Sequence, residues 1–481
     1  MHLSKNIFGI LSRGGRPSSF NGHRSSAIDR WTVVSRRSTV LLSALLAACI
    51  STAQTWREKT EHANYIHRSI KQLTDVLVYD IYSPPVASRT YAYISIAGYE
   101  AAVAGNPEYH SLSTQLHGLT PLPKIKVGKE YSYTLAAVQA ILTVGKAMVI
   151  SEDKVESFHA AIVKEFKTSG MPADVINNSI AYGLDVAKHI LAWASQDSYK
   201  QTRTFSKYAV TNDAAVWKPT PPAYMRAVEP HWNKIRTFII DSAQQFKPVL
   251  PTPFSADKNS QFYKEALAVR DIGTSSSAEQ KEIANFWDCN PFKMNVNGHV
   301  MYASKKISPG GHWMNITRLA CQKMSANVIQ SLEAYTCLAV TIADAFISCW
   351  DEKYRSQVIR PETYINQYID GSWAPLLQTP PFPEYTSGHS VLSTASAVML
   401  EKIFGNNFSF ADSTEVEFGI PVRHFSSFGQ AAEEAAISRF YGGIHYMPSI
   451  INGSEEGKKL GTFIIKRLKT VRNSTARNKN K

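Results

Sequence analysis

Along most of the chain, apolar residues recur at three- and four-residue spacing and strict alternation is scarce, so helices should dominate. Tyr65, Ile66, Ile70, Leu73, Val76, Leu77 and Ile81 outline a first helix. Ser83-Pro84-Pro85 interrupts it, and a second apolar segment runs from Ala87 to Ala104. Helical patterns return over 129–150, 152–168 and 173–197. The stretch 200–255, rich in Pro, Thr and Trp, predicts a long irregular connection wrapped around a helical body. Helices resume over 256–272 and 277–288, and Pro309-Gly310-Gly311 predicts a turn between Ile307 and Trp313. One long apolar periodicity then spans Ile316 to Arg360. After a Pro-rich loop, Leu376 to Tyr385, come helices at Gly388–Phe404, Gln430–Tyr441 and Ser454–Val471. The pattern predicts an all-α helical bundle with long irregular loops.

Composition divides the chain further. Arg36-Arg37 precedes the short apolar run Val40–Ala48, a secretory signal too short to span a bilayer. Leu46-Ala47-Ala48-Cys49 resembles a bacterial lipobox, which implies export, lipidation of Cys49 and attachment to a membrane surface. The alternative is cleavage near Ala53 and a soluble product. The expected organisation is a signal segment 1–49, an N-terminal helical part with its Pro-rich connection 50–255, a C-terminal helical part 256–472, and a basic tail 473–481. A formal charge of +13 suggests nucleic acid, but the whole excess lies in segments 1–37 and 466–481. The body between is formally neutral, so nucleic-acid binding is not expected. Among the cysteines no CxxC pair occurs, which argues against a structural zinc finger, and Cys337 and Cys349 fit buried thiols on one helix.

Three C-terminal segments carry candidate chemistry. In the first, Lys353 and Arg360 are seven residues apart, one face of a helix two turns long, with Pro361 ending the helix at Arg360. Two fixed cations suit a many-oxygen anion, although such pairs are usually solvated. In the second, Ser387-Gly388-His389 opens an apolar helix. The free amides and dipole of the helix start attract anions, Ser387 can donate its hydroxyl, Gly388 admits an oxyanion to the backbone, and His389 can exchange protons. A plain Ser N-cap beside a surface His would look the same. In the third, Arg439 lies at a helix end, Gly442-Gly443 stops the helix, and His445 follows as nucleophile, ligand or merely structural residue.

Taken together and in order, Lys-x6-Arg-Pro, Ser-Gly-His and Ser-Arg-x5-His resemble the superfamily of vanadium-dependent haloperoxidases, type-2 phosphatidic acid phosphatases and bacterial acid phosphatases. Ala343 to Lys353, with Trp350 three residues before the lysine, and Phe382-Pro383-Glu384-Tyr385 resemble the haloperoxidase branch. So does Phe286-Trp287-Asp288 ahead of Pro309-Gly310-Gly311, which implies that Asp288 supports His389 or Arg439. Two positions depart from the pattern. Thr386 replaces the usual Pro before Ser-Gly-His, and Ser449 stands where many members carry an acid four residues after the last His. Ser449, Asp288 or a backbone carbonyl would then have to orient His445.

The resemblance implies one oxyanion pocket with two uses. Lys353, Arg360 and Arg439 would neutralise the anion's oxygens, and Ser387 and the Gly388 amide would add hydrogen bonds. In the haloperoxidase reading, His445 ligates the vanadium of vanadate and His389 moves protons while hydrogen peroxide oxidises a halide. In the phosphatase reading, phosphate takes the same place: His445 attacks a phosphomonoester and His389 protonates the leaving oxygen. The branch similarities favour the haloperoxidase.

Overall fold

The periodic segments fold as helices close to where they are expected. In chain order these are α1 (Trp56–Thr60), α2 (Asn64–Tyr79), α3 (Pro84–Val103), α4 (Tyr133–Lys146), α5 (Glu152–Thr168), α6 (Ala173–Ala194) and the single turn α7 (Tyr199–Thr202). After the irregular connection come α8 (Gln261–Ser275), α9 (Ala278–Phe286), α10 (Pro309–Lys323), α11 (Val328–Ser356), α12 (Pro361–Tyr368), α13 (Gly388–Phe404), α14 (Phe428–Tyr441) and α15 (Met447–Arg467). Two small antiparallel pairs join them: β1 (Met294–Asn297) with β2 (Val300–Ala303), and β3 (Phe410–Asp412) with β4 (Arg423–Phe425). The structure is a computed structural model describing residues 55–472, all within one compact unit. The expected signal segment 1–49, with Cys49, and the expected basic tail 473–481 lie outside the described residues.

Three expectations are corrected. Pro309-Gly310-Gly311 is not a turn but the first turn of α10, capped by Ser308 with Pro at the first helical position. A Cβ at Gly311 would sit 2.7 Å from Ile307 and 2.8 Å from the Tyr91 hydroxyl, so glycine there serves close packing. Lys353 and Arg360 do not share a helix. α11 ends at Ser356, Gln357 turns left-handed at φ 51°, and Arg360 is the extended N-cap of α12 at ψ 149°. Pro361 forces that extended conformation on its predecessor. The 200–255 connection takes up the peptide groups freed there, with Trp217 N–H donating to Gln357 O at 2.8 Å and Ile359 N–H to Ala215 O at 3.0 Å. Finally, α15 begins at Met447 rather than Ser454, with Pro448 in its first turn.

α11 is the axis of the fold. It is long and apolar enough to cross a membrane by length and composition, but its apolar window is wholly buried in protein. α3 from the N-terminal part and α13 from the C-terminal part both pack along it within a single apolar core. Asp344, at its middle, ties down the irregular connection by accepting the N–H groups of Phe238 (2.7 Å), Ile239 (2.7 Å) and Ile240 (3.0 Å). Asp344→Ala would leave three buried donors unpaired, at about 1–3 kcal/mol each before relaxation. Denaturant unfolding should show a loss of about 3 kcal/mol or more, and a loss under about 1 kcal/mol would mean that the carboxylate does not hold the connection.

Candidate active site

Close packing of α15 on α13 brings two of the segments together. A Cβ at Gly457 would lie 2.2 Å from Val391 O, so only glycine lets the two helices approach this closely. Their starts are laced by Ser387 N–H donating to Ser449 O at 3.1 Å. α14 ends at Tyr441, and Gly443 at φ 75° reverses the chain so that His445 lands just before α15. The Lys353 segment enters from the end of α11 and the Arg360 segment from the start of α12. All seven residues of the three segments thus converge, on helix ends rather than helix faces.

A small cavity lies at the convergence. Gly388, His389, Arg439 and His445 line it with Trp350, Phe382, Phe346 and Asn290. Its volume of about 40 Å³ offers room for roughly three water-sized groups, the scale of one tetrahedral oxyanion. A Cβ at Gly388 would rest against Trp350 Cζ3 at 3.7 Å and fill part of the cavity wall that glycine leaves clear. Ser387 is a true N-cap, its Oγ accepting from Ser390 N–H at 3.3 Å, which leaves the hydroxyl hydrogen available.

Each cation stands differently. Arg360 donates Nε–H to Phe382 O (2.9 Å) and Nη1–H to Ile444 O (2.9 Å), while its buried Nη2 has no partner. Arg439 donates Nη1–H to Trp287 O at 2.8 Å, and its buried Nε is unpartnered. Orphaned guanidinium donors of this kind are costly unless an anion meets them. Lys353, expected to face the anion, instead donates to the carbonyls of Pro383 (3.0 Å), Glu384 (3.0 Å) and Thr386 (2.5 Å). It clamps the loop leading into Ser-Gly-His and contributes charge from behind. Burial lowers its ammonium to about 8 and the Arg360 guanidinium to about 10, with Glu384 opposing both shifts.

The histidines are set by their partners. His445 Nδ1 lies 2.7 Å from Glu384 Oε1, and its Nε2 lies 3.2 Å from Arg360 Nη1. Arginine can only donate, so Nε2 holds the lone pair and Nδ1–H donates to Glu384. Burial and then the charges of Arg360, Lys353 and Arg439 hold His445 well below the usual imidazole range, so the ring is neutral and its Nε2 lone pair accepts from Arg360 Nη1–H, a contact that an entering metal would displace. His389 is lowered well below that range too, by burial and then Arg439. It hydrogen-bonds the Trp287 carbonyl, and its Nε2 is unpartnered. One carbonyl, Trp287 O, therefore positions both His389 and Arg439.

Glu384 is the residue the sequence reading missed in role. It takes the place of the acid absent at 449, and the Tyr446 amide donates to the same oxygen at 3.0 Å. Ser449 Oγ is a longer contact of His445 Nδ1, at 3.4 Å. The only signal was an acid three residues before Ser-Gly-His in a chain lacking one after His445. Asp288 departs from its expected role. Its buried carboxylate accepts from Lys306 Nζ at 2.8 Å, and it acts on Arg439 only through its charge, without hydrogen-bonding His389. Lys306 is a near, flexible donor on the segment just before α10, and it captures the carboxylate first.

Comparison with known proteins sets this geometry in context. Residues 367–474 match the family model described as the VCPO second helical-bundle domain. The fold matches the crystal structure of a bacterial vanadium-dependent iodoperoxidase, with 49% identity and a TM-score of 0.82 over 86% of this chain and 98% of that one. A bacterial vanadium-dependent chloroperoxidase matches at 15% identity in its holo form (TM-score 0.59, 81% of this chain and 93% of that one). Its apo form also matches at 15% (TM-score 0.60, 80% and 95%). These two support the fold alone. No curated protein sequence matches the chain.

Proposed function

The chain belongs to the vanadium-dependent haloperoxidases, and we propose that within that family it oxidises iodide with hydrogen peroxide at a vanadate bonded to His445. The observation that carries this reading is the set of groups around one small cavity: His389, Arg439 and His445 in its wall, with His389 Nε2 and Arg439 Nε unpartnered, and behind His445 the Arg360 guanidinium, which hydrogen-bonds His445 Nε2 and leaves its own Nη2 unpartnered. A tetrahedral oxyanion able to accept a histidine ligand satisfies that set; water alone leaves two guanidinium donors poorly matched. Bound vanadate supplies a Lewis-acidic centre at which peroxide oxidises halide without a change in the metal's oxidation state.

The chain's own residues then divide the work. Arg360, Arg439, the Ser387 hydroxyl and the amide at Gly388 donate to the anion's oxygens. With the anion bound, neutral His389 would accept and return a proton at its unpartnered Nε2. Trp350, Phe346 and Phe382 wall the cavity with apolar surface that limits water and suits a large, polarisable halide. Iodide is assigned on this lining and on the similarity to the iodoperoxidase.

The test is a halide panel on vanadium-free and vanadate-reconstituted protein. Vanadate should switch on iodide oxidation, with bromide and chloride at least about tenfold slower, a difference of about 1.4 kcal/mol in barrier. Phosphate should slow reconstitution because the same donors serve both anions. Bromide or chloride turnover equal to iodide would overturn the halide assignment. Phosphomonoester hydrolysis without halide oxidation would replace the reading with the phosphatase one.

A further inference from the structure

A second buried polar cluster lies against the ring of Trp287, outside the oxyanion cavity. His312, in the first turns of α10, stacks on that ring at 4.6 Å between centroids. Its Nδ1 lies 3.4 Å from Cys289 Sγ and 2.9 Å from Glu415 Oε1, and Sγ and Oε1 are 3.8 Å apart. Its Nε2 is 2.8 Å from Asp412 Oδ2, and Asp412 is fixed in turn by the Thr414 amide at 2.9 Å. All four side chains are almost fully buried, at 0–3% exposure.

Nothing in the oxyanion chemistry uses this group, and its composition is unusual for plain packing. A thiol, an imidazole and a carboxylate offer three different donor atoms to one point. Zinc bonds of about 2.3 Å to sulfur and 2.0–2.2 Å to nitrogen and oxygen give tetrahedral edges of roughly 3.3–3.6 Å. The three separations scatter around that value, so a cation would need to move the donors by only a few tenths of an ångström. The carboxylate on the far ring nitrogen is the partner that orients metal-bound histidines and sets their tautomer.

We propose that Cys289, His312 and Glu415 bind zinc or a similar thiophilic divalent cation, with Asp412 orienting His312 through Nε2. The donor set selects against magnesium and calcium, which take oxygen ligands. Zinc would displace the thiol proton of Cys289 and any proton on His312 Nδ1: the S–H and N–H bonds break, Zn–S and Zn–N bonds form, and the protons leave to solvent. The site also has a consequence for the catalytic cavity. Cys289 N–H donates to Trp287 O at 2.8 Å, the carbonyl that positions His389 and Arg439. A cation on Cys289 would stiffen that turn.

The experiment uses vanadium-free protein titrated with zinc, and with cobalt(II) as a spectroscopic stand-in. One zinc per chain should bind, releasing at least one proton, that of the Cys289 thiol. Cobalt should show the intense near-ultraviolet band of a thiolate ligand. Cys289→Ser should remove that band and weaken binding at least about tenfold, and Asp412→Asn should weaken it about 10- to 100-fold. Where a variant fails to fold, the parent's stoichiometry and cobalt band still decide. A parent that binds no zinc, a cobalt complex without the thiolate band, or Cys289→Ser binding zinc as tightly as the parent would each overturn the proposal.

Discussion

His445→Ala should abolish iodide oxidation and strip the protein of retained vanadate, whereas His389→Ala should keep the vanadate and lose turnover by about 10²–10⁴-fold. The split follows from where each ring nitrogen points. His445 Nε2 carries a lone pair held between Arg360 and the cavity, and its other nitrogen is committed to Glu384. Alanine there removes the one atom able to bond the metal. His389 is neutral, tied to the Trp287 carbonyl, and presents an unpartnered Nε2. It moves protons but is one polar contact among several for the anion, so its loss is felt in rate. The measurement is vanadium per chain after desalting, set beside peroxide-dependent iodide oxidation. Equal loss of vanadium in both variants would contradict this division of roles, and full retention by His445→Ala would remove the ligand assignment.

The limits of the sequence reading follow from what kind of interaction each residue makes. Helices such as α5 and α13 were legible to the residue because their periodicity and caps are local: Ser387 and the apolar run after it lie within a few turns. The seven residues that gather around the cavity could be picked out along the chain because their spacing is a pattern, although Lys353 turns to backbone carbonyls where it was expected to face the anion. The break between Lys353 and Arg360 was not, although Pro361 foretold an extended Arg360. Continuation of α11 was stopped earlier, at Ser356, by hydrogen bonds from residues 215–217, more than a hundred positions away. The same holds for α10, whose glycines read as a turn until the Tyr91 hydroxyl is seen pressing against Gly311. Trp287 O positions two site residues as a backbone atom, and no side-chain pattern encodes that. Asp288 was placed by analogy, and the structure keeps only part of that role: its charge acts on Arg439 while its hydrogen bond goes to Lys306.

Glu384→Gln should weaken vanadate binding about 10- to 100-fold and alter its pH dependence. Glutamine can still place an oxygen where Glu384 Oε1 now accepts from His445 Nδ1 and from the Tyr446 amide, so the variant removes charge more than shape. In the parent, burial, against the pull of Arg360 and Lys353, pushes the Glu384 carboxyl up to about 7. Below that pH the carboxyl takes up a proton, which the unpartnered Oε2 can carry while Oε1 still accepts from Nδ1–H. The imidazole then leans on a neutral acceptor in place of a carboxylate, and its Nε2 becomes a weaker ligand. Vanadate affinity of the vanadium-free protein should therefore fall as pH drops through about 7. On the alkaline side Lys353, lowered by burial to about 8, loses its charge, and affinity should fall again as pH rises through that value. Glu384→Gln should erase the acid limb and move the alkaline one to lower pH, because it removes one titrating group and with it the negative charge that holds the Lys353 ammonium up. Glu384→Ala should bind more weakly still, since the imidazole loses its orienting oxygen altogether. The measurement is vanadate affinity by calorimetry across pH 5–9 for parent and variants. A Glu384→Gln protein with parental affinity and an intact acid limb would show that Ser449, at 3.4 Å, suffices to hold the ring. The carboxylate would then be a buried charge without a part in holding the anion.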